Sequence, residues 1–283
     1  MRHGFLLINK PVGPSSHDCV YKARRLLHEK KIGHLGTLDP AAEGLMVMAV
    51  GAKALKVVEL FNKLPKEYEA TIRLGEISST YDREGVIEEF EIKPGVSLPT
   101  MIDIQNVISD RIIGKIDQVP PAHSAIKIGG ERAYRKMRQG RGVNIPPREV
   151  EIKKCEILDF NYPILKLRIG CSSGTYIRSI ANDLGVLLRC GGYLQELRRT
   201  KVGDWSIDNS TELEDLAWSD ITPLKDVLGV RFRIDLTSDQ AEDVRHGRDI
   251  DIKVEQDAIG WSEGFPIAVL APAGGKAHAR KVL

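Results

Sequence analysis

The chain has 283 residues, of which 42% are hydrophobic and 28% charged, with 41 Lys and Arg against 39 Asp and Glu. That balance fits one large globular domain, or a large one with a small appendage, and excludes a disordered or low-complexity chain. No apolar run approaches the roughly 20 residues of a membrane-spanning helix, and the apolar start at residues 5–8 is too short for a secretory leader, so residence in the cytosol is expected.

In chain order, residues 5–8 read as a short strand and Lys10-Pro11-Val12-Gly13-Pro14 as a turn. Ser15 or Ser16 is suited to cap a helix whose Val20, Ala23 and Leu27 share one face. The octet Gly33-His34-Leu35-Gly36-Thr37-Leu38-Asp39-Pro40 follows. Pro40 cannot continue a helix and pushes Asp39 toward extended geometry, while Gly33, Gly36 and the nearby Gly44 permit unusual backbone or close approach. The next apolar run, residues 45–50, suits a buried strand or a helix start, so one carboxylate stands at the lip of a core element. An Asp so placed is able to act as nucleophile or electrostatic anchor, although most Asp-Pro pairs only begin turns. Residues 68–74 alternate as a half-buried strand with Tyr68, Ala70, Ile72 and Leu74 inward.

After Leu98-Pro99-Thr100 a helix is expected with Ile104, Val107, Ile108 and Ile112 on its apolar face. Between Pro120 and Lys154 nine Lys or Arg face three Glu, a surplus of six positive charges suited to phosphates. Within it Gly129-Gly130 reads as a turn and residues 131–139 as a short basic helix ending at Gly140. Strands are expected at 149–160 and 165–171, then a helix over 175–188 with Ser173 or Thr175 as cap. Residues 204–226 carry seven acids and one Lys and read as a surface helix plus linker through Pro223. From Val230 the chain reads as a small unit that must lean on the rest. A Thr237/Gln240 capping box opens a helix that stops at Gly247, strands run from Val254, and turns fall at Gly260, Gly264 and Gly274-Gly275. Cys19, Cys155, Cys171 and Cys190 show no paired spacing and the seven His are scattered, so buried reduced thiols are expected and no metal site.

Five stretches together resemble the TruB family of tRNA pseudouridine synthases. They are Asn9-Lys10-Pro11-Val12-Gly13-Pro14-Ser15-Ser16, the Asp39 octet and Lys66-Glu67-Tyr68. Then come Pro120-Pro121-Ala122-His123-Ser124-Ala125-Ile126-Lys127 with Tyr134 and Arg138-Gln139-Gly140, and Gly174-Thr175-Tyr176-Ile177-Arg178 with Tyr193-Leu194-Gln195-Glu196-Leu197-Arg198-Arg199. They occur in the family's order from about residue 5 to about residue 203. Leu35 departs from the pattern, standing where a small or hydroxylated residue is usual.

The resemblance implies a mixed α+β catalytic domain, residues 1–228, around a central, largely antiparallel sheet. It also implies an RNA-clasping insertion at about 119–148 and a small β-rich, PUA-like unit at 229–283. It implies isomerisation of a T-loop uridine of tRNA to pseudouridine with no cofactor, by a monomer without an obligate protein partner. Asp39 would be the catalytic carboxylate, attacking either C1′ or C6 of the nucleotide. Arg178 would pair with it, and Tyr68 would stack on the flipped base and move a proton. Tyr176 and Leu197 would wall the base pocket, and His34 would fill the gap left in the RNA stack. Lys10, Lys127, Arg132, Arg135, Lys136, Arg138, Arg141, Arg198 and Arg199 would contact RNA. On the residues alone, Tyr68 and Leu197 read as core, Arg178 as a surface cation at a helix start, and His34 as part of a turn. Two rival readings are a guide-RNA-directed, dyskerin-like synthase and an RNA chaperone of the tRNA elbow.

Overall fold

The computed structural model describes residues 3–121, 127–128, 131–132, 145–229 and 233–283. Strand β1 (Gly4–Lys10) leads into helix α1 (Ser16–Leu26), then β2 (Ile32–His34), β3 (Glu43–Val50) and α2 (Ala52–Val57). Next come β4 (Lys66–Leu74), the small hairpin β5 (Glu76–Ser78) and β6 (Ile87–Glu89), helix α3 (Met101–Val107) and β7 (Gly114–Gln118). A two-residue ladder, β8 (Lys127–Ile128) with β9 (Glu131–Arg132), precedes the long strands β10 (Arg148–Asn161) and β11 (Ile164–Cys171). Helix α4 (Ile177–Leu187) is followed by β12 (Gly192–Val202). Beyond it lie the short strands β13 (Trp205–Ser206), β14 (Thr211–Glu212) and β15 (Ile221–Pro223), and helix α5 (Leu224–Leu228).

These strands form one mixed sheet in the order β14-β1-β3-β12-β4-β11-β10-β7. Every pairing from β12 through to β7 is antiparallel, and only β3 with β12 and β1 with β14 run parallel. Strand β3 is apolar at nearly every position because both its faces are covered. Leu45, Val47 and Ala49 pack with Phe5 and Phe61, while Met46, Met48 and Val50 pack with Cys19, Val20 and Ala23 of α1. Strand β4 covers one face only. Tyr68, Ala70, Ile72 and Leu74 are buried as their alternation requires, under α3 and α4, and Glu69, Thr71 and Arg73 lie on the open face.

The last part of the chain builds a separate four-stranded sheet from β16 (Arg233–Asp235), β17 (Ala258–Ser262), β18 (Phe265–Ala273) and β19 (Lys276–Val282), with α6 (Ser238–Arg245) against it. It leans on the main sheet as expected. Ile259, Trp261 and Val269 share a core with Phe5, Leu45 and Phe61, and Arg280 and Lys281 both pair with Glu59 at 2.9 Å. Thr237 and Gln240 form the capping box, and Gly264, Gly274 and Gly275 take the left-handed backbone of turns.

Four local expectations fail. Within the expected surface helix and linker at 204–226, residues 205–223 make short strands and single 3-10 turns and only 224–226 enter a helix, the short α5, because Leu213, Leu216 and Leu224 are drawn onto the main sheet. Glu131–Arg132 pairs as a strand with Lys127–Ile128, so no helix begins at Glu131, and the rest of that expected helix lies outside the described residues. Helix α4 starts at Ile177 with no side-chain cap, since the Thr175 hydroxyl donates back to the Ser172 carbonyl. Gly260 is buried inside β17, where close packing of Leu236 and Leu270 leaves little room for a side chain.

Candidate active site

The loop that carries Asp39 is fastened from three directions, all by groups that belong to the quoted motifs. The Ser16 hydroxyl accepts the Leu38 N–H and donates to the Leu38 carbonyl, both at 2.8 Å, while Ser15 caps α1 in a box with Asp18. Gly13 N–H donates to the Pro40 carbonyl at 2.9 Å, and the Lys10 ammonium donates to Ala42 O at 2.6 Å and Pro11 O at 2.9 Å. Arg199 donates to the carbonyls of Leu45 at 2.7 Å and of Gly36 and Thr37 at 3.2 Å each.

Lys10 and Arg199, expected on the RNA surface, are therefore 0% and 2% exposed and serve as internal ties. The physical reason is that an irregular loop with few backbone partners leaves carbonyls unmatched, and a buried cation supplies several donors at once. Burial pulls the Lys10 pKa down, against the nearby charge of Asp39. At Gly44, φ is +104° and a Cβ would sit 2.4 Å from the Arg199 carbonyl oxygen, so both backbone shape and close approach demand glycine. Leu35 fits without strain, buried in the core beside Phe5 and Val47.

Within this frame the Asp39 carboxylate, about half exposed, receives the Arg178 guanidinium at 3.0 Å. Arg178 is buried at the start of α4, and its other arm meets Asp82 at 3.0 Å. Asp82 is buried and in turn accepts the Thr80 hydroxyl at 2.5 Å and the Glu84 N–H at 3.0 Å. Tyr81 before it takes φ +65°, and its carbonyl accepts the Leu194 N–H, which pins this turn to β12. Asp82 escaped the sequence reading. Its signal, a Thr-Tyr-Asp turn after a short strand, is indistinguishable from an ordinary loop. Gln118 was also missed. From the end of β7 its amide grips Tyr176 on both sides, donating to the Tyr176 carbonyl at 3.0 Å and accepting its N–H at 2.8 Å.

Asp39, Tyr68, Tyr176, Arg178, Leu197 and His34 all line one cavity of about 490 Å³, with Lys66 and Arg199. Tyr68 projects from β4 and is 7% exposed; burial raises its phenol pKa, and the charge of Arg199 opposes that rise. Leu197 is only partly buried, as a wall residue and not a core residue. His34 Nδ1 accepts the Gly36 N–H at 3.3 Å and its ring meets His17 edge-on at 5.8 Å. Burial, with His17 and Arg199 beside it, lowers its pKa, so the ring is neutral at pH 7. Arg198 stays exposed beside Glu43. The side chains of Lys127 and Arg132, and the whole of Arg135, Lys136, Arg138 and Arg141, lie outside the described residues.

The arrangement sets one oriented carboxylate against aromatic walls, in a cavity of a size that admits a nucleoside. Comparison with known proteins agrees. Residues 24–177 match the profile of the TruB family pseudouridylate synthase N-terminal domain, and residues 178–228 that of the tRNA pseudouridylate synthase B C-terminal domain. A protein called tRNA pseudouridine synthase B from Mycobacterium sp. (strain KMS) is 41% identical over 252 residues, covering 87% of this chain and 83% of that protein. One of the same name from Leifsonia xyli subsp. xyli (strain CTCB07) is 39% identical over 279 residues, covering 96% and 90%. Among solved structures, a Cbf5-Nop10-Gar1 complex matches with TM-score 0.74 at 23% identity over 99% of this chain and 84% of that one. An H/ACA RNP bound to a substrate RNA containing 2'-deoxyuridine matches with TM-score 0.73 at 20% identity, covering 100% and 85%; these two show the shared fold.

Proposed function

This chain belongs to the TruB family of pseudouridylate synthases, and from that premise we propose that it isomerises a T-loop uridine of tRNA, acting alone with Asp39 as the reacting carboxylate. The observation that carries the reading is the Asp39–Arg178 contact of 3.0 Å at the lip of a cavity also walled by Tyr68, Tyr176 and Leu197. The reaction breaks the N1–C1′ bond, turns the uracil, and joins C5 to C1′; the C5 proton leaves and N1 gains one. The ring therefore needs a flat surface on which to turn, which Tyr68 supplies, and an oriented anion beside C1′ and C6, which Asp39 supplies. We assign the Tyr68 hydroxyl to relay the C5 proton: as its oxygen accepts that proton it hands its own to solvent, so the phenol stays neutral throughout, in keeping with its raised pKa.

The T-loop base must leave its stack to enter, at a cost of a few kcal/mol that phosphate contacts elsewhere offset. The basic segment around Arg135, Lys136 and Arg138 is the expected source, with His34 filling the vacated gap. We assign the catalytic domain to residues 1–228 and a PUA-like unit to 229–283, whose own sheet supports that division. Operation without partners is supported by the 39–41% identity to proteins named tRNA pseudouridine synthase B, against 20–23% to the Cbf5 and H/ACA structures. The test is purified protein with unmodified transcript tRNA tritiated at uracil C5. Tritium release with one modified T-loop site is expected; release only after adding a guide RNA or a second protein would overturn single-chain action.

A further inference from the structure

We infer that Lys66 grips a backbone phosphate of the flipped nucleotide and so fixes the depth at which the base enters the cavity. The assignment rests on the reaction proposed above and concerns the same site. Lys66 opens β4 and is held on both sides, opposite Cys171 of β11 and Val202 of β12, so its backbone is rigid. It lies two residues from Tyr68 on the same strand face, a spacing of about 6.6 Å. That is comparable to the reach from a pyrimidine ring to its own phosphodiester. Its side chain runs past Gly36 of the Asp39 loop, where a Cβ would lie 3.8 Å from Lys66 Cε.

Three cations line the cavity among the described residues, and two are committed. Arg178 is divided between Asp39 and Asp82, and Arg199 between three backbone carbonyls. The Lys66 ammonium makes one described hydrogen bond, 2.9 Å to the Leu64 carbonyl, and has three donors. With Asp39 as the only carboxylate lining the described cavity, the site carries a positive surplus that favours an anion.

Desolvation, with Arg199 beside it, brings the Lys66 pKa down to about 8. The charged and titratable groups around it are Asp39 and His34 from the loop side, Tyr68, Cys171 at about 11, Arg178 and Arg199. His34 is shifted below its usual 6.5 and Tyr68 above its usual 10, while Lys66 is brought into the range between pH 7 and 9. A phosphate binds the protonated ammonium, so capture of tRNA weakens as pH rises through 8.

The experiment measures single-turnover kcat/KM on a T-arm stem–loop, unmodified or carrying a neutral methylphosphonate in turn at each phosphate flanking the target uridine. Lys66→Gln should lose about 10- to 100-fold on unmodified RNA and have a salt slope lower by about one. At one of the two phosphates the methylphosphonate should cost wild type a similar factor and cost Lys66→Gln almost nothing more. Lys66→Arg should recover most activity and lose the alkaline limb above pH 8. Additive losses at both phosphates, with wild type active, would overturn the Lys66 contact alone. A wild type inactive on unmodified RNA would overturn the reaction itself.

Discussion

At the scale of single residues, the site is a chain of charges that ends in Asp39, the carboxylate proposed to react. Asp82 is buried with Arg178, at side-chain exposures of 6% and 8%, and Asp39 lies at the half-open end. Removing Asp82 strips the buried Arg178 guanidinium of a carboxylate it is paired with at 3.0 Å and loosens its orientation toward Asp39. Asp82→Ala should lower stability by about 2 to 4 kcal/mol and reduce turnover more than tenfold, with tRNA affinity nearly unchanged. Urea midpoints and single-turnover rates check this, and a variant with wild-type midpoint and rate would contradict it. Asp39 was legible because its octet and the four companion motifs name it. Asp82 was not, because its meaning lies in a contact with a residue 96 positions away. Lys10 and Arg199 were misplaced for a related reason: a lysine or arginine is exposed by default, and only the folded loop shows how many carbonyls need its donors.

At the scale of elements, hydrophobic period decided what was readable. Strand β4, with one covered face, announced itself by alternation, and β3, covered on both, read equally as strand or helix start. Residues 204–226 misled because their acids suggested a solvated helix, while their leucines are spaced for brief contacts along the edge of β1. The opening motif turns out to be a fastener: Gly13, Ser16 and Lys10 all hold the backbone of residues 38–42. Arg199 holds the same loop from β12. Arg199→Lys keeps the charge and loses the forked geometry that reaches three carbonyls. It should cut turnover about tenfold and leave the salt slope of tRNA binding unchanged. A lower slope would return Arg199 to the RNA surface.

At the scale of the whole molecule, the second sheet is packed into the core of the first through Trp261, 3% exposed, against Phe5, Leu45 and Phe61. The two parts should therefore melt together. Trp261→Ala should cost about 3 to 5 kcal/mol and lower a single transition seen alike by circular dichroism and by tryptophan fluorescence. Two separate transitions, with the first sheet unaffected, would contradict that coupling. Sheet, helix α4 and fastened loop together orient one carboxylate at the lip of a cavity, where the proposed reaction needs it, and removing its charge is the most direct trial of the account. Asp39→Asn, mixed in excess with tRNA tritiated at uracil C5, should release no tritium over many wild-type half-lives while its tRNA dissociation constant stays within about twofold of wild type. Tritium release at a rate near that of wild type would contradict the central claim.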